Sequence, residues 1–375
     1  MNCYTYTVKF YSLQSYTIDL CYSIIMEGKK LSGIRLMAQE LGVSIATISR
    51  ALNPDTSHLV KEARRSEILE LADKMRYRPN PGARLIQKGI NPTIGVLIPG
   101  QEDVFFSEFY GRFTGGMIQA TKDSDWEVRI NALKGDAGSI VDELRRVGLG
   151  SSGLIYAGLP LTADEVNSLS NYHSPLILMS SVLPASYPRE TVKCHVLGVD
   201  NYSGAVAAAK YIAELGHQHI GLILGPDESR DFSERSRGYA HGLQAAGIEV
   251  REEMVYKGSY DQETGRAGCE HFLSMKQVPT ALICASDNIA FGALDFAKDR
   301  GVSCPKDISI IGFDDGPWAV ACSPKLTTIR QPLGTLTRRA VELLALSVDD
   351  PSLAYVHDDL EAVLNIREST SVLSS

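Results

Sequence analysis

From Thr93 onward, short runs of apolar and β-branched residues alternate with amphipathic stretches of helical spacing. The apolar runs read TIGVLIP, SGLIYAG, PLILMSS, HIGLILG, TALICAS and ISIIGF. Strands of this kind, separated by helices, form parallel sheets whose two faces are covered by the helices. The pattern restarts after Val199 and Asp200, which indicates two similar α/β lobes. Because open α/β sheets bind ligands beyond the carboxyl ends of their strands, two facing lobes predict a cleft that binds a ligand.

The segment from Ile34 to Asn53, IRLMAQELGVSIATISRALN, has the pattern of two short helices joined by a tight turn. Gly42 fits the turn because it adopts a positive φ without steric cost, and Ser44 is placed to cap the second helix. A third helix is predicted from Lys61 to Met75. The three helices predict a helix-turn-helix unit whose second helix enters the major groove of DNA. A helical hairpin inside an ordinary core is the alternative that these residues alone leave open.

Charge is distributed unevenly along the chain. The whole protein carries a formal net charge of −8, which by itself argues against a nucleic-acid partner. Residues 26–92, however, contain twelve Lys and Arg against seven Asp and Glu. A basic head on an acidic body suits a localised DNA contact, since only the contacting face has to meet phosphate.

Cysteine usage and the first residues bear on the compartment. Seven cysteines are scattered without a CxxC pair, which favours a reducing cytoplasm over a disulfide framework or a zinc site, and no cofactor or metal is expected.

Residues 1–30 are expected to be a disordered or mis-annotated extension, since they show no helical period. They lack the features of a signal peptide, and no run approaches the length of a membrane span.

Signatures of common α/β enzymes are missing from the sequence. The first strand is not followed by GxGxxG, and neither GxxxxGK[ST] nor GxSxG occurs. Asp314 and Asp315 form the nearest approach to a catalytic pair, but adjacent carboxylates at a strand end usually point apart. Hydrogen bonding of a ligand by Asp314 is the favoured interpretation, and a non-enzymatic function is expected.

Several motifs in order along the chain together resemble the lactose/galactose repressor (LacI/GalR) family. They are AxxLGVSxxTxSRALN, YRPNxxAR, GVDNYSGA, ERSRGYAHGL, PTALICASDNIAFGAL, VSCPKDISIIGFDD and LTTIRQP. The resemblance implies an α/β fold in which an N-terminal three-helix DNA-binding domain precedes a two-lobed core. That core is similar to periplasmic binding proteins and has parallel sheets.

The resemblance also implies DNA-binding residues. Ile45 and Ala46 occupy the two positions that vary to select operators, and both offer only apolar contact, so hydrogen-bonded base discrimination rests on Arg50. Ile86 stands where the family inserts a leucine into the minor groove at a hinge helix. The full predicted set is Ser44, Ile45, Ala46, Thr47, Ser49, Arg50, Asn53, Arg84 and Ile86.

For the effector, the resemblance identifies Arg235 as the arginine of the cleft and Asp314 as its acidic partner. Tyr260 matches a stacking aromatic, although core packing is an equal alternative for it and for the phenylalanines of the first loop. Ser286 replaces a common asparagine, and Ser180 stands at a position that is acidic in the lactose repressor. The full predicted set is Phe105, Phe106, Ser180, Arg235, Tyr260, Ser286, Asp287 and Asp314.

These observations predict a cytoplasmic, homodimeric regulator of transcription, a repressor rather than an activator. It would bind pseudo-palindromic operator DNA and a sugar or related metabolite, without a membrane partner. A core that senses a corepressor or partner protein is the alternative. The predicted domains are the extension 1–30, the helix-turn-helix 31–78, the hinge 79–91 and the core 92–370. Within the core, the first lobe takes about 92–198 and 331–350, and the second about 199–330 and 351–370.

Overall fold

The computed structural model describes residues 33–52, 56–75, 77, 92–100, 104–106, 108–133, 140–169, 172–226 and 229–373. These residues fall into two compact units, divided at residues 90 and 91. The predicted extension 1–30, the hinge 79–91 with Arg84 and Ile86, and Asn53 lie outside the described residues.

The first unit contains three helices, α1 (Gly33–Glu40), α2 (Ile45–Leu52) and α3 (Glu62–Lys74). Their packed faces bury Met37, Ile48 and Ile68 completely. Gly42 has a φ of +61° in the turn between α1 and α2, a conformation that a side chain would strain. The Ser44 Oγ accepts the backbone N–H of Thr47 at 3.1 Å, so it caps α2 as predicted.

The second unit contains two six-stranded sheets, one in each lobe. The elements of the first lobe are β1 (Thr93–Ile98), α4 (Glu108–Thr121), β2 (Glu127–Ala132), α5 (Ile140–Gly148), β3 (Gly153–Tyr156), α6 (Ala163–Ser168), β4 (Leu176–Met179) and β5 (His195–Asp200). Those of the second lobe are α7 (Asn201–Glu214), β6 (Ile220–Leu224), α8 (Arg230–Ala245), β7 (Val255–Lys257), α9 (Gln262–Leu273), β8 (Ala281–Cys284), α10 (Asp287–Asp299), β9 (Ser309–Asp314) and β10 (Thr327–Arg330). The last elements are α11 (Leu333–Asp349), β11 (His357–Glu361) and β12 (Val363–Asn365).

The strand orders are β11-β5-β4-β3-β1-β2 and β12-β10-β9-β8-β6-β7. Neighbouring strands run parallel, as the alternating pattern predicts, except that β12 pairs antiparallel with β10. The central strands β1, β3, β4, β6 and β8 are buried along their whole length, which is typical of sheets covered on both faces.

In the described residues the chain crosses between the lobes three times. The crossings lie after Asp200, between Arg330 and Leu333, and at Ala362. The first two agree with the sequence-based lobe boundaries to within two residues. The third does not, because β11 pairs with β5 in the first sheet. Residues 351–361 therefore belong with the first lobe, and the prediction that placed 351–370 wholly in the second lobe was wrong for this segment.

Two helices differ from the sequence-based predictions. Helix α8 begins at Arg230 rather than near Ser233, because the Ser229 side chain caps it. Helix α6 was not predicted, although Thr162 and Glu165 form a complete capping box at its start.

Within the described residues, no helix combines the length and the apolar character that crossing a bilayer requires.

Candidate functional site

Helix α2 presents an exposed outer face and a buried apolar inner face. Ile48 and Ala51 point into the core of the first unit, with exposed fractions of 0% and 2%. Ile45 is 42% exposed, so it does not pack in the core of the first unit. Ala46 and Arg50 are also exposed, and no described residue bonds the Arg50 guanidinium. This face can therefore reach another molecule.

The remaining predicted residues of α2 are more constrained. Ser44 is exposed, but its hydroxyl is engaged with Thr47, whose Oγ1 lies 2.9 Å away. Thr47 and Ser49 are half-buried. The outer face of α2 is thus built mainly from Ile45, Ala46 and Arg50.

Arg235 lies on α8 at the centre of a polar cluster in the second lobe. It is 3% exposed, and its Nε donates to the Asn201 Oδ1 at 2.8 Å. Its Nη1 donates to the Ala285 carbonyl at 2.7 Å and lies 3.5 Å from the Asp314 Oδ1. The guanidinium also lies 3.8 Å from the ring centre of Phe313, a cation–π geometry. These contacts leave the Nη2 group of Arg235 as the donor with no partner among those described.

Asp314, at the end of β9, is the acidic partner that the sequence predicts. Burial raises the pKa of its carboxyl, while Arg235 and a 2.5 Å hydrogen bond from the Gln331 Nε2 oppose that rise. Asp314 and Asp315 have φ angles of +135° and +55°, so the backbone turns sharply here. A hydroxyl group placed beside such a pair can donate a hydrogen bond to the carboxylate and accept one from the guanidinium.

Asp315 points away from Asp314, as predicted for adjacent carboxylates. Its oxygens accept hydrogen bonds from Arg330, Arg367 and Asn365 at 2.7, 2.5 and 2.6 Å. Burial alone would raise the pKa of Asp315, but the two arginines hold it below its ordinary value. Asp315 therefore stabilises the edge of the second lobe and is occupied by its own partners.

An aromatic pair lies beside Arg235. The rings of Phe232 and Tyr260 are 3.8 Å apart, and the Arg235 guanidinium lies 4.7 Å from the Phe232 ring. The Tyr260 hydroxyl donates to the Pro226 carbonyl at 2.8 Å. A Cβ on Gly225 would collide with the Tyr260 ring, so the glycine makes room for it. Tyr260 is thus brought to the cluster, with Phe232 as a partner that the sequence analysis missed.

The two predicted residues of the first loop are only partly described. Phe105 is 56% exposed in a 3-10 turn, and none of the described ring contacts joins it to Arg235. The side chain of Phe106 lies outside the described residues.

Ser286 and Asp287 have structural partners. The Ser286 Oγ caps α10 by accepting the Ile289 N–H at 3.2 Å. Asp287 is fully buried, and its oxygens accept hydrogen bonds from the Thr328 hydroxyl at 2.5 Å and the Gly316 N–H at 3.0 Å. The structure therefore favours a positioning role for Asp287 over contact with an effector.

Ser180 begins the 3-10 turn that directly follows β4, and its side chain contacts the second lobe. Its hydroxyl donates to the Asp231 Oδ1 at 2.8 Å, and both residues are buried. Burial raises the pKa of Asp231 to about 6, against the lowering influence of Arg235 and Ser180. The sequence analysis missed Asp231, although it lies one helical turn before Arg235 and so on the same face of α8.

No group of three metal-binding side chains occurs in the described part of the chain. His217 bonds Thr280 and the Ser371 carbonyl, whereas His219 bonds Gln277. Their side chains therefore serve separate structural contacts.

Comparison with known proteins gives consistent matches. A family model described as a periplasmic binding protein-like domain matches residues 209–370. The HTH-type transcriptional repressor CytR of Escherichia coli is 31% identical over 347 residues, which cover 90% of this chain and 96% of that protein. The HTH-type transcriptional regulator GalS of Salmonella typhimurium is 30% identical over 315 residues, covering 83% and 88%.

Solved structures share the fold. The Lac repressor dimer bound to operator and the anti-inducer ONPF superposes with a TM-score of 0.77 at 22% identity, covering 91% of this chain and 100% of that one. The complex of the transcriptional regulator CelR with cellobiose gives a TM-score of 0.65 at 25% identity, covering 90% and 100%.

Proposed function

Because the chain belongs to the lactose/galactose repressor (LacI/GalR) family of transcriptional regulators, we propose that it represses transcription under the control of a sugar bound between its two lobes. Like its relatives, the chain is a transcriptional regulator and not an enzyme. The proposal adds an effector class and the direction of control to that family membership.

The observation that carries the sugar proposal is the arrangement of Arg235, Asp314 and the aromatic pair. A guanidinium with a free Nη2 beside a carboxylate provides a donor and an acceptor for one hydroxyl group. The Phe232 and Tyr260 rings give an apolar face next to them. Sugars present hydroxyls at their edges and C–H groups on their faces, so they match both features. The CelR–cellobiose complex and a ribose complex of a regulator from Enterococcus faecium support a sugar by analogy.

For DNA, we assign base reading to the outer face of α2. Ile45 and Ala46 would contact thymine methyl groups, and Arg50 would pair with guanine. Ser44, Thr47 and Ser49 would position α2 on the backbone. Asn53, Arg84 and Ile86 are proposed contacts on the family resemblance alone.

One head covers a single half-site, so we propose a homodimer on a pseudo-palindromic operator in the cytoplasm. In this proposal residues 31–78 read DNA, residues 79–91 form the hinge, and the core from residue 92 binds the effector. The sugar would change the angle between the lobes and thereby the spacing of the two heads. A coupling of about 1–3 kcal/mol between the sites would change operator affinity several-fold to a hundredfold.

A thermal-shift screen of the full chain tests the effector class, with panels of sugars, nucleosides and metabolic acids. At 100 times its dissociation constant, a ligand stabilises the native state by about 2.7 kcal/mol. The shift caused by a sugar should vanish in Asp314→Asn and persist in Asp307→Asn, a control at an exposed aspartate that precedes β9. A shift from acids alone would contradict the sugar proposal. Tighter operator binding in the presence of the ligand would indicate a corepressor instead.

A further inference from the structure

The turn that follows β4 in the first lobe contacts the start of α8 in the second lobe. We call this contact the seam. The backbone N–H of Arg230 donates to the Leu183 carbonyl at 3.1 Å, and Pro184 pairs with Ser229 in an isolated antiparallel bridge. The Ser180 hydroxyl donates to the Asp231 Oδ1 at 2.8 Å. The seam thus combines backbone contacts with one side-chain hydrogen bond that ends on a carboxyl group.

Asp231 is 9% exposed, and charged groups face it from both lobes. On its own helix, Arg235 attracts the carboxylate and Glu234 repels it, and Glu234 is itself paired with Arg230 at 3.2 Å. From the first lobe, Asp359 on β11 repels it. The surroundings of Asp231 therefore contain carboxylates as well as arginines.

Only one of the two carboxylate oxygens of Asp359 has a hydrogen-bond partner. Its Oδ2 pairs with Arg189, but its Oδ1 is buried without a hydrogen-bond donor. Arg189 and Arg230 lower the pKa of Asp359, and Asp200 and burial raise it, with burial the largest influence. A Cβ on Gly198 would collide with both the Ser180 Oγ and the Asp359 Oδ1, so these two atoms lie against the same backbone position. The seam accordingly brings two carboxyl groups from opposite lobes to one buried serine.

Separating the lobes would return Asp231 to water. An ionised carboxylate is hydrated well in water and poorly in the seam, whereas a protonated carboxyl loses little on burial. Protonation of Asp231 would therefore favour the joined arrangement over the separated one. It would also remove the repulsion between Asp231 and Asp359, while the neutral carboxyl still accepts from Ser180.

We propose that Ser180 and Asp231 form a proton-dependent latch that holds the two lobes together when the Asp231 carboxyl is protonated and loosens when it ionises. Arg235 faces both Asp231 and the proposed sugar contact at Asp314, but neither Ser180 nor Asp231 is one of the groups that the proposed function assigns to the sugar. It concerns only the two lobes, so its test needs no effector and can fail independently of the proposed function.

The direction follows from the pKa of Asp231. That pKa is about 6 in the latched arrangement, against an ordinary 3.8. The joined state therefore takes up a proton, and it gains stability relative to the separated state as the pH falls from 6 toward 3.8. Linkage predicts that the latch closes about tenfold more favourably at pH 5 than at pH 7.

Hydrogen exchange at the Arg230 amide measures the latch directly, because this N–H donates across the seam. In the full chain, we expect its protection, corrected for the intrinsic exchange rate, to be about tenfold greater at pH 5 than at pH 7. In Asp231→Asn, which keeps a neutral acceptor for Ser180, protection should hardly change with pH. The Ile283 amide in the buried strand β8 serves as the internal reference for global unfolding.

Two further variants keep the test decisive even if Asp231→Asn folds poorly. Asp359→Asn removes a neighbouring negative charge and should move the midpoint of the pH dependence to lower pH. Ser180→Ala removes the donor and should lower protection at every pH while the dependence remains. A pH response that persists in Asp231→Asn, a midpoint unmoved in Asp359→Asn, or no response in the unmodified protein would each overturn the latch.

Discussion

The Arg112 guanidinium, on helix α4 of the first lobe, donates a 2.9 Å hydrogen bond to the backbone carbonyl of Asp314 in the second lobe. It also donates to the carbonyls of Asp315 at 3.1 Å and Gln331 at 3.4 Å. Both aspartates have positive φ angles, which L-residues rarely adopt. Arg112 therefore holds a sharp backbone turn in place and, through it, sets the direction of the Asp314 carboxylate.

Replacing Arg112 with Met should destabilise the core, because three carbonyls lose a charged donor. We expect the free energy of unfolding to fall by about 1–3 kcal/mol, measured by urea denaturation. Arg112→Lys keeps the charge but not the fork of donors, so it should lose less. If both variants match the unmodified protein in stability, the hydrogen bonds of Arg112 do not support the turn at Asp314.

Replacing Arg50 with Ala should abolish much of the discrimination between operator and unrelated DNA. A bidentate pair of arginine with guanine contributes about 1–3 kcal/mol of discrimination, and the neighbouring Ile45 and Ala46 cannot replace its hydrogen bonds. Fluorescence anisotropy with a selected operator at physiological salt measures the loss. Arg300, an exposed arginine of the second unit that is paired with Glu270, provides the control, and Arg300→Ala should bind DNA normally. Unchanged specificity in Arg50→Ala would show that the base reading lies elsewhere.

Adding a Cβ atom at Gly42, in the turn between α1 and α2, should lower the stability of the first unit. Gly42→Ala places a side chain at a φ of +61° and should destabilise the three-helix unit by about 1 kcal/mol, although nothing lies within 4 Å of the new atom. Gly115→Ala in α4 also meets nothing within 4 Å but has no positive φ, so it should be neutral or stabilising. Circular dichroism melts of the two variants compare them. Equal effects would indicate that the backbone conformation at Gly42 is not strained for alanine.

His217 should make the second lobe sensitive to acid. Burial lowers the pKa of His217 from 6.5, although the carbonyl of Ser371 opposes that shift, so the folded chain favours the neutral ring. Stability from the neutral ring is complete above pH 6.5 and is lost as the pH falls below that value toward the lowered pKa. The drop in Tm between pH 7.5 and pH 5 should be smaller in His217→Gln than in the unmodified protein. Parallel pH profiles of the two proteins would rule out this contribution.

Most of the fold was predictable because its signals are local. The apolar runs, the Gly42 turn and the Ser44 cap each lie within a few residues, and the structure confirms them. The run LEAVLNI, residues 360–366, is divided between β11 and β12 and so between two sheets, and its apolar pattern did not predict this division. Strand partners decide it, since β11 pairs with β5 and β12 with β10, and those partners lie far away in sequence.

The site was harder to predict for the same reason. Arg235 and Asp314 were predicted from their motifs, and the structure brings them within 3.5 Å. Asp287 stands in an equally conspicuous motif, yet its oxygens are taken by Thr328 and Gly316. Whether a carboxylate is free for a ligand depends on donors elsewhere in the chain, which no local pattern reveals. The same holds for Asp231, whose partner Ser180 lies on the other lobe.

The three crossings between the lobes have a mechanical consequence. At these crossings, Asp200 is the register partner of Glu361, and Val363 is the register partner of Arg330. The three crossing segments therefore lie side by side and form a hinge between the lobes. Three adjacent short tethers resist sliding and twisting of one lobe over the other far more than swinging. A ligand that draws the free edges of the two lobes together would therefore change mainly one angle, by rotation about the axis that the three crossing segments define.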